Sequence, residues 1–161
     1  MKKRLKWIPA VALVGFALLQ LTNPSHTNPP VKSDFIAATS PPASVAASFR
    51  AACYDCHSHE TKWPWYSRIA PVSSLIASDV NEGRKHLDFS DWPADSAAVA
   101  KKLDRINEVL DYREMPLKKY TLLHADARLT ETQRKEIMDW TDTAAAKLRA
   151  APARQITDAP R

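Results

Sequence analysis

The sequence predicts an all-α fold, with one helical domain of about a hundred residues behind an apolar N-terminal helix. Apolar residues recur at intervals of three and four positions in several stretches, as on the buried face of a helix. No stretch alternates apolar and polar residues over the length of a strand. A short C-x-x-C-H motif at 53–57 follows the first of the domain's helical stretches and marks its most distinctive chemistry.

The N-terminus combines a basic cluster with an uncharged apolar segment at 7–21. This pattern is typical of an export signal, and we interpret 1–21 as a signal-anchor or a signal peptide. Since no small-x-small cleavage site follows the segment, the sequence favours an uncleaved anchor. The basic residues precede the apolar segment, so the positive-inside rule places the rest of the chain in the bacterial periplasm, tethered to the inner membrane.

The formal net charge of +5 is concentrated at the N-terminus, because four basic residues and no acidic ones lie within 1–21. The remainder therefore carries a charge of +1. A nearly neutral exported part predicts no binding of nucleic acid. Residues 22–43 are rich in proline and small polar residues and predict a semi-extended linker. Residues 44–150 are predicted to form the domain, and 151–161 a polar tail.

Four helices are predicted within the domain, at 44–53, from Pro71 onward, at 95–112 and at 131–149. Pro71 suits the first turn of the second helix, where its missing N–H costs nothing. Gly83 lies on the apolar face of that helix and predicts a close approach by another segment. Thr130 and Gln133 have the spacing of a capping box at the start of the fourth helix.

The C-x-x-C-H motif is typical of the attachment site of a c-type haem. Cys53 and Cys56 would each form a thioether to a haem vinyl group, and His57 would supply the proximal ligand to the iron. They are the only cysteines in the sequence. Three alternatives remain open: a disulfide, a thioredoxin-like redox pair, and a zinc site that adds His57 and His59. A thioredoxin-like pair needs a βαβ context, which the sequence does not predict.

A second axial ligand is predicted at Met115, in the segment after the third helix. Pro116 follows it directly and restricts the backbone there, which suits a ligand held in a loop. The other candidates are Met138, His59, His86 and His124. An open sixth position is the remaining alternative.

An aromatic run at 63–66 follows the motif closely and is predicted to pack as a wall of the haem site. Trp63, Trp65 and Tyr66 carry polar atoms, and together with Arg68 or Arg84 these atoms would reach the haem propionates.

Several motifs together resemble the small bacterial haem-binding domain family of mono-haem, cytochrome-c-like proteins. They occur in order at 53–58, 63–67, 69–73, 79–84, 89–92, 114–117 and 122–124, and the resemblance covers about 45–148. It implies a small cytochrome-c-like helical domain around one covalent haem c. By motif position it implies thioethers at Cys53 and Cys56, iron ligation by His57, and Met115 as the natural distal ligand. It names no redox partner protein.

The sequence therefore predicts a mono-haem c-type cytochrome that transfers single electrons at the outer face of the inner membrane and is not an enzyme. The alternative is a haem-based sensor or peroxidase-like protein, which requires an open distal site. A metal-free interaction module with a disulfide at the motif is a third possibility.

Overall fold

The computed structural model describes residues 7–150 and contains eight α-helices within that range. Their bounds are α1 Ile8–Leu19, α2 Phe35–Thr39, α3 Ala43–Ala52, α4 Tyr54–His57, α5 Val72–His86, α6 Ser96–Asp111, α7 Lys118–Leu123 and α8 Glu131–Ala150. Over the described range, β structure is limited to one isolated bridge between Ser33 and Asp91. The all-α prediction is confirmed. The predicted polar tail and the N-terminal basic cluster lie outside the described residues.

The longest helices have the capping that the sequence predicts. Asp95 precedes α6, and its carboxylate accepts a hydrogen bond of 2.8 Å from the backbone N–H of Ala98. Thr130 and Gln133 form the predicted capping box, with reciprocal bonds of 2.9 and 3.1 Å. Because both helices begin at defined residues, their apolar faces meet in register, and α6 packs closely against α8.

The core lies between α6, α8 and the shorter helices and is mainly aromatic on one side. The rings of Phe35, Phe49 and Phe89 are fully buried, with centroids 4.7 to 5.7 Å apart. Leu103 from α6 and Ile137 from α8 close the other side and are also fully buried. This core holds α3 in place immediately before the C-x-x-C-H motif.

The predicted free linker at 22–43 is wrong in its boundaries, because much of this segment packs on the domain. Phe35 is fully buried in the core, and Asp34 caps α2 through the N–H of Ala37 at 2.8 Å. Asn28 donates to the carbonyl of Thr61 at 2.9 Å. The globular unit thus begins well before residue 44, since one aromatic side chain binds the segment despite its linker-like composition.

The apolar helix α1 buries none of its side chains against the domain. Among the described residues, no helix has the combined length and apolar character needed to cross a membrane. The C-terminal end of α1 is joined to the domain by Gln20, whose side chain forms hydrogen bonds with the backbone of Ala70.

Candidate functional site

The C-x-x-C-H motif forms a single helical turn after a break in the chain. Cys53 has φ −127°, which ends α3 and allows α4 to start in a new direction. The carbonyl of Cys53 then accepts the N–H groups of Cys56 and His57 at 3.2 and 3.0 Å. Tyr54, which follows Cys53 in the turn, is buried, and its hydroxyl donates to Asp34 at 2.9 Å. The turn therefore presents both thiols and the imidazole to the same side.

That side is a cavity of about 430 Å³, which both cysteines, His57 and Met115 line together. Such a volume lies within the range of cofactor sites, roughly 300–1,000 Å³. The remaining wall is largely apolar and includes Phe49, Leu87, Phe89, Ile106, Val109, Leu110 and Leu117. The motif and Met115, 58 or more residues apart in sequence, therefore share one apolar cavity.

The ring of His57 is oriented by two backbone carbonyls at the end of α5. Its Nδ1 lies 2.9 Å from the carbonyl oxygen of Gly83 and 2.9 Å from that of Leu87. Carbonyl oxygens only accept hydrogen bonds, so Nδ1 carries the proton and Nε2 keeps its lone pair. Burial lowers the pKa of His57, and its two hydrogen bonds oppose that shift only in part. The imidazole is thus neutral and in the tautomer that binds a metal through Nε2.

Both cysteines are free thiols in the structure, without a disulfide between them. Burial raises the pKa of Cys53 to about 12 and that of Cys56 to about 11, with the carboxylates of Asp79 and Asp55 adding to the latter shift. A zinc site or a redox-active pair needs thiolates. In addition, residues 7–150 contain no group of three or more His, Cys, Asp or Glu side chains placed to hold a metal ion. The zinc and thioredoxin-like interpretations gain no support from this geometry.

Gly83 brings the backbone of α5 against the motif. A Cβ atom at this position would lie 2.6 Å from the carbonyl oxygen of Cys56 and 3.1 Å from its carbonyl carbon. The predicted close approach at Gly83 is confirmed, and its partner is the motif itself. Gly83 therefore positions the turn in two ways. Its lack of a side chain lets the backbone of Cys56 pack closely, and its carbonyl oxygen orients the ring of His57.

Gly83→Ala is expected to lower the free energy of unfolding by about 1–3 kcal/mol, as overpacking does. Alanine favours a helix by about 1 kcal/mol over glycine, but the clash involves backbone atoms that cannot rotate away. Gly15→Ala is the matched control, because nothing lies within 4 Å of a Cβ at that position. Urea unfolding of the two variants measures the difference. Equal midpoints for both variants would contradict the packing role of Gly83.

Met115 lies in the connection between α6 and α7 and is held from α8. The Nη1 of Arg134 donates to the carbonyl oxygens of Leu110 and Met115, at 2.9 and 3.1 Å. Arg113 adopts a left-handed conformation with φ 56°, which turns the chain out of α6. The backbone of Met115 is therefore fixed beside the cavity by a charged donor from another helix.

Of the other distal candidates, only His86 lines the same cavity. It belongs to the last turn of α5, the turn whose carbonyls hold His57, whereas Met115 comes from a separate loop. His59 is bound to the carbonyl of Pro30 and to Asp88, each at 2.9 Å. His124 stacks on Tyr120 and lines a different cleft. Met138 packs against the core.

The structure does not support the expectation that the aromatic run and Arg68 or Arg84 serve the haem site, because none of them lines the cavity. Trp63, Trp65 and Tyr66 do not line the cavity. Arg84 is occupied elsewhere, since it donates to Ser58, Thr61, Thr27 and Asn28 and so fastens the segment before α2 to the loop after the motif. The arginine that lines the cavity is Arg105 of α6, and a guanidinium there is a suitable donor to haem carboxylates.

Tyr120 is a second residue that sequence reasoning missed. It lines the cavity from α7, and its hydroxyl donates to Asp55 at 2.7 Å, between the two cysteines of the motif. Its only sequence signal is an aromatic residue shortly after Met115, and this signal is weak unless its partner Asp55 is known.

The residues of the cavity fit a haem. One turn supplies two thiols and an imidazole, a loop supplies a thioether, and the walls are largely apolar.

The family model described as a haem-binding domain matches residues 14–143, which is most of the chain. Among curated proteins, the chain is similar to the cytochrome c peroxidase Ccp of Escherichia coli (strain K12), with 28% identity over 92 residues. The aligned part is 55% of this chain but only 20% of that protein, so the chain spans a fifth of its relative's length. No solved structure matches the chain. Fold, cavity and family match agree, and the chain belongs to the haem-binding domain family.

Proposed function

We propose that this haem-binding chain is a mono-haem c-type cytochrome that transfers single electrons at the outer face of the bacterial inner membrane. The observation that carries the proposal is the single cavity lined by Cys53, Cys56, His57 and Met115. One chain segment supplies both thiols and one axial ligand, and a separate loop supplies a thioether. This combination is the ligand set of a cytochrome c.

The residues have distinct roles in this proposal. Cys53 and Cys56 would hold a bound haem covalently, each through a thioether made by adding its S–H across one vinyl group. His57 would hold the iron through Nε2, and the carbonyls of Gly83 and Leu87 keep its ring from rotating. Met115 would hold the iron through its sulfur, which favours the reduced state. The bound haem supplies an iron that gains and loses one electron.

The protein's own contribution is to keep the site closed. Apolar residues from α3, from α6 and from the segment between α6 and α7 line the cavity and limit the access of water. If His57 and Met115 both bind the iron of a bound haem, no position would be left for a substrate molecule. Such an arrangement suits electron transfer through the cavity edge to a redox partner protein, whose identity the chain does not reveal.

A peroxidase-like activity is the second candidate, and the similarity to a cytochrome c peroxidase favours it. A peroxidase needs an iron position that is open or easily vacated. The proposal and this candidate therefore differ in whether Met115 occupies the distal position. A haem-based sensor would require the same open position.

Carbon monoxide distinguishes the two functions, because it binds ferrous haem only where an axial position is free. We expect the reduced, haem-loaded protein to show a low-spin spectrum that changes little on addition of carbon monoxide. Optical difference spectra measure this directly. Rapid formation of a carbon monoxide complex, together with turnover of hydrogen peroxide, would favour the peroxidase-like candidate.

Membrane attachment through the N-terminal segment is part of the proposal. Its support is the basic cluster before an apolar, fully exposed α1. We expect the mature protein to fractionate with the inner membrane and to keep its original N-terminal residues. Recovery from the soluble periplasm, with a new N-terminus after residue 21, would contradict the tether.

A further inference from the structure

One surface of the domain exposes large apolar side chains that take no part in the haem cavity. This apolar face consists of Trp65, Ile69, Val72, Leu75, Leu122 and Leu123. Trp65 is 75% exposed and Leu122 is 74% exposed. A contiguous apolar surface of this kind marks a site of contact with a protein or a membrane.

The apolar face is continuous across two helices. Val72 and Leu75 from α5 and Leu123 from α7 line one shallow cleft of about 140 Å³. Lys119 forms an ion pair of 2.8 Å with Asp79, which fastens α7 to α5 beside that cleft. Val72, Leu75 and Leu123 therefore belong to one surface with a fixed shape, and Trp65, Ile69 and Leu122 lie close to them along the chain.

The end of the apolar N-terminal helix is hydrogen-bonded to the segment that carries Ile69 and Val72. The Gln20 side chain donates to the carbonyl of Ala70 at 3.3 Å and accepts the N–H of Ala70 at 2.9 Å. Asn23 donates to the carbonyl of Arg68 at 3.0 Å and accepts the hydroxyl of Ser73 at 2.5 Å. These bonds place the end of α1 beside Ile69 and Val72.

We propose that the apolar face rests on the lipid bilayer into which α1 inserts. This inference depends on the membrane tether of the proposed function. Since α1 is apolar on all sides and its end is bonded to Ala70, insertion of α1 brings the apolar face to the bilayer surface. Trp65 suits the headgroup region, where amphipathic rings concentrate. Exposed Lys62 and Arg68 lie beside the face and suit anionic headgroups.

This orientation of the domain on the bilayer would affect electron transfer, because the cleft and the haem cavity share part of their walls. Cys56, Asp79, Leu117 and Tyr120 line both. A bilayer against the apolar face therefore lies close to one side of the haem site, which favours electron exchange with a partner embedded in the same membrane.

The test uses the full-length, haem-loaded protein in vesicles of phosphatidylethanolamine and phosphatidylglycerol. Benzoylphenylalanine replaces Leu75 or Leu122 in separate variants, and Lys135 in a control variant. The side chain of Lys135 is 75% exposed, close to Leu122 at 74% and above Leu75 at 51%, but it lies on α8, which packs against α6 and α3. After illumination, mass spectrometry measures covalent adducts on the protein.

We expect a mass increase of one phospholipid at positions 75 and 122 and none at position 135. Flotation of the vesicles separates the two levels of the hypothesis. If the protein does not float with the vesicles, the tether fails and the docking fails with it. If the protein floats but positions 75 and 122 give no lipid adduct, give only protein adducts, or match position 135, the tether stands and the docked face is refuted.

Discussion

Replacing both Cys53 and Cys56 by alanine is expected to abolish covalent haem. When the unmodified chain is made together with a haem-attachment system, its mass should exceed that of the polypeptide by one haem. The double variant lacks both thiols that line the cavity, and the sequence holds no other cysteine. Mass spectrometry and haem staining after denaturing electrophoresis measure the difference, because only covalent haem survives denaturation.

The control for this experiment is noncovalent haem, which we expect the double variant to bind. His57 and the apolar walls are intact in that variant, so a haem spectrum should remain in the native protein and disappear on denaturation. Single Cys53→Ala and Cys56→Ala variants should each keep one thioether. If the unmodified chain has the bare polypeptide mass and contains a disulfide, the metal-free interpretation replaces the cytochrome.

Met115→Leu is expected to change the haem spectrum and to lower the reduction potential. Leucine is close to methionine in volume, so the substitution should cost less than about 1.5 kcal/mol of stability. It removes the thioether sulfur, and with it the weak absorption band that a sulfur–iron(III) bond gives near the red end of the visible spectrum. The vacated position should also let the reduced protein bind carbon monoxide.

Met138→Leu is the matched control, because Met138 packs against the core and does not line the cavity. It should leave both the red band and the potential as they are. If Met115→Leu behaves like this control, the distal ligand lies elsewhere. His86 is then the next position to test, since it also lines the cavity.

Local patterns were sufficient to predict the long helices and the motif. The bounds of α6 and α8 follow from Asp95 and Thr130, which cap helices through contacts within three residues. Cys53, Cys56 and His57 lie within five consecutive residues, so one helical turn brings them together without contacts from the rest of the fold. Met115 could be predicted as a candidate ligand because Pro116 and the end of α6 mark a loop.

The residues that were missed or given the wrong role act over long sequence distances. Tyr120 meets Asp55 across 65 positions, and Arg84 meets Asn28 across 56. No periodicity encodes such pairs, because each residue looks like an ordinary surface residue in its own segment. Phe35 was missed for a different reason: average composition assigned its segment to a linker, although one buried aromatic side chain is enough to hold it on the core.

Because residues 22–43 pack on the domain, they also limit how far the domain can move away from its anchor to meet a partner. A flexible linker of that length would give a root-mean-square reach of about 25 Å around its anchor. The bonds of Gln20, Asn23 and Asn28 to the domain remove most of that freedom. In a protein anchored through α1, the haem cavity then keeps a nearly constant height and orientation above the membrane. The rate of encounter would then depend on how the partner approaches. Lengthening the 22–43 segment would add little to the reach of the domain unless those hydrogen bonds were broken.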